Sequence, residues 1–135
     1  MSSVENIYSY QHFKKATTSI IEDFNDGIAM NVLIWEYKKN AKNKNLEFNI
    51  SKNYFHTITK KNCEYCGSSP SSVRFTPNRK RRYTFNGIDR KDNSKGYINK
   101  NCIPCCKVCN YMKKNHTQED FLTHIDKVFA KHRNL

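Results

Sequence analysis

The chain has 135 residues, and its 24 Lys and Arg against 12 Asp and Glu give a formal charge of +12 at pH 7. Only 37% of the residues are apolar, which predicts one small domain whose modest core needs a further stabilising element, such as a bound metal. The same figures argue against an enzyme with a large cleft. The longest apolar runs are far below the roughly 20 residues of a membrane span, so a membrane protein is not expected.

The chain begins MSSVENIYSY, which has neither the basic start nor the apolar core of a secretory signal. We therefore expect an intracellular protein, in the cytoplasm or nucleus of a host cell, that is not secreted. In such compartments cysteines bind metal more often than they form disulfides. The six cysteines of the chain are thus candidates for a metal staple.

Helical spacing of apolar residues predicts two helices in the first third of the chain. The first covers 4–25, and Gly27 offers its C-cap. Residues 1–27 form a helical extension that we expect either to dock a protein partner or a second copy, or to pack on the same domain. The second helix covers 28–43 and opens the main domain, which we place over 28–135.

Short elements are predicted in the middle of the chain. Leu46 to Ile50 is an extended piece, and Ser51 can cap a helix over 52–60. From Cys63 onward, turn signals alternate with short strand-like segments. Three of these segments are predicted to form a short two-stranded region: Tyr83 to Phe85, Ile88 to Arg90 and Tyr97 to Ile98.

Helical patterns return near the C-terminus. A helix is predicted over 107–114, and Thr117 caps a last helix, with Asp120 as a capping-box-like partner. This last helix carries one apolar stripe, made of Phe121, Leu122, Ile125, Val128 and Phe129. The order of helices, short strands and helices predicts a small α+β domain.

The positive charge is concentrated in one segment. Residues 71–114 hold twelve Lys and Arg against Asp89 and Asp92 alone, a net +10. Self-repulsion on this scale opposes compaction unless an anion is bound, and phosphate backbones are the usual partner. Taken by itself, the run Arg79-Lys80-Arg81-Arg82 is explained equally well as a solvated loop.

Two C-x2-C pairs lie at the edges of this region. Cys63 and Cys66 form the first pair, and Cys106 and Cys109 form the second, with 39 residues between the pairs. Two such pairs supply four thiolates for a tetrahedral Zn²⁺ with no open position, which indicates a structural zinc. Cys102 and Cys105 share the same spacing. We prefer the pair that leads into the following helix and regard the other two cysteines as small apolar fillers.

The stretch from Asn86 to Tyr97, NGIDRKDNSKGY, followed by Asn101 and by PCCKVCNYMK from Pro104 to Lys113, resembles the zinc-containing branch of the HNH endonucleases. These are also called ββα-metal or His-Me finger nucleases. The similarity is greatest to small HNH proteins of phages and giant viruses. It implies a ββα-metal finger flanked by helices, in which a hairpin and a helix hold one divalent cation, Mg²⁺ or Mn²⁺, against the scissile phosphate.

The resemblance also implies roles for single residues. Asp89 matches the metal-binding acid at the end of the first strand, and Asn110 matches the last H of HNH, a second cation ligand. Asn101 matches the middle N, which ties the loop between the strands to the backbone. The zinc ligands of the family fall on Cys63, Cys66, Cys106 and Cys109.

Arg90 departs from the family pattern, which has the water-activating His at this position. An arginine stays protonated, so it cannot act as an ordinary general base. Three interpretations remain open. Arg90 clamps the phosphate and stabilises the transition state, or Asp92 acts as base or second metal ligand, or the site binds nucleic acid without cutting it.

The chemistry is coherent independently of the resemblance. Mg²⁺ prefers oxygen ligands, commonly one or two carboxylates with waters and phosphate, and Asp89 and Asp92 are isolated acids in a basic field. The alternative is a pair of turn or salt-bridge residues. For Asn110 the alternative is a helix N-cap.

Two functions therefore compete. The first is a metal-dependent endonuclease that hydrolyses phosphodiester bonds in DNA, gripping the backbone with basic residues: Arg79, Lys80, Arg81, Arg82, Lys113 and Lys114. The second is a catalytically degenerate, zinc-stapled nucleic-acid-binding subunit of a larger nucleoprotein assembly.

Overall fold

The computed structural model describes residues 27–134. The predicted helix over 4–25 and its docking role lie outside these residues. The described chain opens with helix α1, which covers 27–43. Gly27 is itself helical, so its expected role as a C-cap is not what the structure shows.

Two helices after α1 begin at the caps that the sequence predicts. Ser51 caps the helix Lys52–Thr59 (α2), accepting a hydrogen bond from the Tyr54 backbone N–H, and Thr117 caps the helix Gln118–His132 (α4) in the same way through Asp120. The elements are β1 (Phe48–Asn49), α2 (Lys52–Thr59), β2 (Ser72–Phe75), β3 (Arg82–Phe85), β4 (Gly87–Arg90), β5 (Tyr97–Ile98), β6 (Cys102–Cys105), α3 (Lys107–Lys113) and α4 (Gln118–His132).

The described strands pair as three two-stranded sheets rather than one two-stranded region. β2 and β3 form an antiparallel hairpin, β1 and β5 pair in parallel, and β4 pairs antiparallel with β6. The prediction missed β2 and β6. β6 contains Pro104 and two of the cysteines, so its sequence does not have the alternating pattern of a strand.

The main core lies between α1, α2 and the strands around β4. Its buried members are Ala29, Met30, Leu33, Ile34, Phe55, Ile58, Tyr83, Phe85, Ile88 and Cys102. Polar contacts anchor β4 to this core, since the Ile88 N–H donates to the Tyr37 hydroxyl at 3.1 Å. Burial raises the pKa of Tyr37, so this hydroxyl stays neutral. Its hydrogen bond with Ile88 holds β4 against α1.

Helix α4 carries the predicted apolar stripe, but most of the stripe is not covered by the described residues. Phe121 is buried and Ile125 is half-buried, while Leu122, Val128 and Phe129 are exposed. The 15 residues of the helix extend about 22 Å, and its contact with the domain lies near its N-terminal end, where Phe121 meets Tyr65. Within residues 27–134, no helix combines the length and apolar character needed to cross a membrane.

Candidate metal centre and active-site cleft

Four cysteine sulfurs meet beside the start of α3. Cys63 and Cys66 come from a tight turn that Gly67 completes in the left-handed region, at φ 77°. Cys106 caps α3, and Cys109 follows in the first helical turn. The four sulfurs all lie within 4.8 Å of one another.

This arrangement fits a tetrahedral ion. Zn–S bonds of about 2.3 Å place tetrahedral sulfurs about 3.8 Å apart, and the Cys66 and Cys106 sulfurs are 3.6 Å apart. Hydrogen bonding with Ser68 lowers the pKa of Cys66 to about 6, whereas burial raises the pKa values of Cys106 and Cys109, so the metal-binding interpretation rests on the sulfur geometry. The described chain thus contains a four-cysteine cluster suited to bind a metal.

Cys102 and Cys105 are not part of this cluster. Cys102 lies in the main core, where burial raises its pKa to about 11. Burial also raises the pKa of Cys105, which packs beneath the cluster. Both positions suit neutral thiols that fill apolar space.

A polar cleft opens where β4 meets α3. Its volume is about 350 Å³, and it brings together side chains that lie far apart in the sequence. A larger groove of about 910 Å³ adjoins it and shares Lys44, Ile88, Tyr97 and Asn110. The lining of the smaller cleft comprises Lys44, Ile88, Asp89, Arg90, Asn93, Tyr97, Asn110, Lys114 and Asn115.

Asp89 lies at the buried end of this cleft, 5% exposed. The Lys113 ammonium group lies 3.2 Å from each carboxylate oxygen, and the Tyr65 hydroxyl donates to Oδ2 at 2.8 Å. A carboxylate offers about four lone-pair positions, so these partners leave acceptor capacity for a further ligand.

Lys113 is placed differently from the prediction. It was expected on a nucleic-acid-binding surface, but its side chain is fully buried against Asp89. The reason is helical geometry, because residues four apart share one helix face and Lys113 follows the buried Cys109 by four. Its neighbour Lys114 is exposed and lines the cleft.

Asp92 does not line the described cleft. Its Oδ1 accepts hydrogen bonds from the Ser94 hydroxyl at 2.6 Å and the Ser94 N–H at 2.9 Å. These bonds lower the pKa of the Asp92 carboxyl. The arrangement is that of an exposed turn residue, which is the alternative that the sequence left open.

Arg90 reaches across the loop that follows β4. Its Nη1 donates to the carbonyl oxygens of Asn93 at 2.7 Å and Lys95 at 2.8 Å. The guanidinium carbon lies 5.7 Å from the centre of the Tyr97 ring. Arg90 therefore braces its own loop while its partly exposed side chain lines the cleft.

Asn101 holds the other side of the same loop. It is buried, and its Oδ1 accepts from the Asp92 N–H at 2.8 Å while its Nδ2 donates to the carbonyls of Asp92 at 3.1 Å and Gly96 at 2.9 Å. These contacts tie the loop between β4 and β6 to a single side chain.

Replacing Asn101 with aspartate is expected to lower the free energy of unfolding by about 3 kcal/mol, because a second oxygen would then face two buried carbonyls. Urea denaturation measures this change. The matched control is Asn93→Asp, which loses one exposed hydrogen bond to the Asn115 carbonyl and should cost under about 1 kcal/mol. Equal losses in the two variants would contradict a special role for Asn101.

Asn110 lies in α3, exposed, with its side chain lining both the cleft and the adjoining groove. The N-cap of α3 is Cys106, so capping, the alternative considered for Asn110, is taken by another residue. Its backbone N–H bonds to the Cys106 carbonyl at 2.9 Å. Two cysteines of the four-cysteine cluster and Asn110 therefore share the first turn of α3.

The basic run forms the tip of the β2–β3 hairpin. Arg79 has φ 57°, and its guanidinium lies 4.4 Å from the centre of the Phe75 ring. The Asn78 side chain accepts from the Lys80 N–H at 3.0 Å. The tip is thus an organised turn, in which Arg81 is half-buried while its basic neighbours are exposed.

Sequence reasoning missed several residues of the cleft region, among them Asn93 and Asn115 in its lining. Two further ones are Tyr65 and Lys44. Tyr65 was signalled by its place between the two cysteines of the first pair, where a side chain cannot lie far from the metal cluster. Lys44 belongs to the turn after α1, and no local pattern indicated that this turn lies beside β4.

Comparisons with known proteins support the fold. No protein-family model matches the chain. An uncharacterized protein of Acanthamoeba polyphaga mimivirus is 38% identical over 86 residues, which is 64% of this chain and 14% of that protein. The chain thus spans a small part of that relative's length.

Among solved structures, the rare-cutting HNH restriction endonuclease PacI matches with a TM-score of 0.51 and 21% sequence identity, over 76% of this chain and 80% of that chain. This likeness concerns the arrangement of the backbone. The chain has an α+β fold of the HNH type, in which β4 pairs with β6 and α3 follows β6.

Proposed function

We propose that the protein is a metal-dependent endonuclease that hydrolyses phosphodiester bonds in DNA. One observation carries this proposal: in a fold of the HNH type, Asp89, Arg90, Asn110 and Lys114 line a single polar cleft directly beside a four-cysteine cluster. In this account the cluster holds a structural Zn²⁺, which leaves no open position for chemistry.

Each side chain of the cleft has a role in this account. Asp89 and Asn110 offer the oxygen ligands for a Mg²⁺ or Mn²⁺ ion. When bound, this cation polarises the phosphoryl oxygen and stabilises the leaving alkoxide. Arg90 is a permanent cation with five donors, so while Nη1 braces the loop its other donors can bind the phosphate. Lys44 and Lys114 add positive charge at the rim.

The exposed residues of the hairpin tip extend the basic surface beyond the cleft. We infer that Arg79, Lys80 and Arg82 contact the phosphate backbone without reading sequence. Such contacts release counterions, so binding should weaken steeply as salt rises.

A second function is favoured by two observations. Arg90 stands where the family has its base, and Asp89 is already ion-paired with Lys113. A degenerate site of this kind would make the chain a zinc-stapled nucleic-acid-binding subunit of a larger assembly. Incubation of supercoiled plasmid with the zinc-loaded protein and Mg²⁺ or Mn²⁺ separates the two. Nicking supports the endonuclease, whereas binding without nicking supports the subunit.

Replacing Arg90 with histidine tests the phosphate-clamp role. An imidazole lacks the additional donors that let Arg90 bind a phosphate while its Nη1 holds two loop carbonyls, so the rate of nicking is expected to fall by about tenfold or more. Its residual activity should gain a pH dependence near pH 6.5, about the usual pKa of histidine. The pH profile of nicking between acid and neutral pH measures this.

The control is Arg133→His at the exposed end of α4, which should nick like the wild type. Nicking that appears in Arg90→His when the wild type shows none would instead support the degenerate site. An unchanged rate and pH profile in Arg90→His would contradict the clamp.

A further inference from the structure

Tyr65 connects three parts of the molecule through one side chain. It lies between the metal-cluster residues Cys63 and Cys66, its hydroxyl donates to Asp89 Oδ2 at 2.8 Å, and its ring packs edge-on against Phe121 with centroids 5.2 Å apart. Tyr65 therefore contacts both the Asp89 carboxylate and helix α4, and its backbone lies between two cysteines of the four-cysteine cluster.

The backbone around Tyr65 is held on both sides. The Gly67 N–H donates to the Cys63 carbonyl at 2.9 Å, which closes the turn, and the Glu64 N–H donates to the Pro104 carbonyl at 2.9 Å, which joins the turn to β6. A metal bound by the flanking cysteines would tighten this turn further. The position of the hydroxyl is thus determined by the cluster and not by a flexible loop.

The hydroxyl does something that Lys113 does not. Lys113 donates a hydrogen bond to Oδ1 and lies 3.2 Å from each carboxylate oxygen. Tyr65 donates to Oδ2, so the two partners hold the carboxylate from different sides and each oxygen keeps acceptor capacity for a further ligand. Because Lys113 already balances the charge of Asp89, the contribution of Tyr65 is to orientation.

Packing alone does not account for the tyrosine. A phenylalanine would make the same edge-on contact with Phe121, and it would bring no polar atom to the protein interior. The hydroxyl is useful because it meets the buried acid at hydrogen-bonding distance.

We propose that Tyr65 is a positioning residue for Asp89. It fixes the orientation of the carboxylate towards the divalent cation, and it thereby couples the four-cysteine cluster to the reaction. This inference rests on the proposed function in one respect: Asp89 is taken as a ligand of the Mg²⁺ or Mn²⁺ ion.

The test compares Tyr65→Phe with the wild type and with Tyr54→Phe, a control on α2 outside both the cleft and the groove. Mn²⁺ binding to the zinc-loaded proteins is measured from the electron paramagnetic resonance signal of free Mn²⁺. Tyr65→Phe is expected to bind Mn²⁺ about tenfold more weakly, the usual effect of losing a hydrogen bond to a metal ligand. Its zinc content should match that of the wild type, and its melting temperature should fall only modestly, because a single hydrogen bond is lost.

Nicking assays add a second measurement. In Tyr65→Phe the Mg²⁺ concentration for half-maximal nicking should rise by a similar factor, while the rate at saturating Mg²⁺ approaches that of the wild type. A purely structural role would lower the melting temperature without moving this concentration.

The outcomes are distinguishable. If the wild type binds Mn²⁺ and nicks DNA but Tyr65→Phe does both with unchanged Mn²⁺ and Mg²⁺ dependence, the positioning role is overturned and the proposed function stands. If the wild type neither binds Mn²⁺ nor nicks, both are overturned together.

Discussion

Replacing Cys106 with serine is expected to unfold the domain. The change removes one of the four cysteines proposed to hold zinc, and in zinc-finger peptides the binding of structural Zn²⁺ contributes about 10–16 kcal/mol to the folded state. Serine is chosen because Cys106 also caps α3, accepting from the Cys109 N–H at 3.4 Å. Serine is itself a good N-cap, so the loss can be assigned to the metal. Far-ultraviolet circular dichroism and elemental analysis measure the outcome.

Cys102→Ala is the matched control for this variant. Cys102 is equally buried but lies in the main core, away from the four-cysteine cluster. The control should retain its zinc and lose only about 1–2 kcal/mol of stability through a small cavity. A wild-type protein that is folded but free of zinc, or a Cys106→Ser variant as stable as Cys102→Ala, would contradict the structural-zinc account.

Replacing Asp89 with asparagine is expected to cost about 3–5 kcal/mol of stability, because it leaves the Lys113 ammonium buried without its counter-charge. The Lys113 side chain has no exposed surface, and Asp89 is its ion-pair partner. Asparagine retains an acceptor for the Tyr65 hydroxyl, so the loss of stability is attributed to the missing negative charge and not to a missing hydrogen bond. Urea denaturation followed by circular dichroism determines the free energy of unfolding.

The double variant Asp89→Asn/Lys113→Met separates stability from chemistry. Replacing a buried ion pair with neutral groups of similar volume is often neutral or stabilising, so the double variant should recover most of the stability lost in the single variant. Its cleft still lacks the carboxylate. If Asp89→Asn is as stable as the wild type, the Asp89–Lys113 pair does not contribute to the stability of the fold as its burial suggests.

The helices and their caps were predictable from the sequence because local chemistry decides them. Ser51 and Thr117 cap the helices expected of them, since a side-chain oxygen accepts a free backbone N–H. Strands β2 and β6 were not predicted, because β2 follows a run of turn-forming serines and β6 contains Pro104 and lacks an alternating pattern. The apolar stripe of α4 was predicted, but amphipathicity alone does not say how much of it is covered.

The cleft was partly predictable. The spacing of the cysteines favoured the four whose sulfurs meet, and the resemblance pointed to Asp89, Arg90 and Asn110, which line one cleft. Neither the cysteine spacing nor the resemblance indicated that Asp89 is buried against Lys113 and Tyr65. A lysine among basic neighbours suggests a solvent-exposed position, and only its helical spacing from Cys109 argues otherwise.

The proposed role of Asp89 in metal-dependent cleavage of DNA can be tested in a folded protein. Nicking of supercoiled plasmid is measured for the zinc-loaded wild type and the Asp89→Asn/Lys113→Met variant, with Mg²⁺ or with chelator, after urea denaturation has shown comparable stability. We expect Mg²⁺-dependent nicking by the wild type and a loss of about a hundredfold or more in the variant. Tight DNA binding without nicking by the wild type, or equal nicking by both proteins, would contradict it.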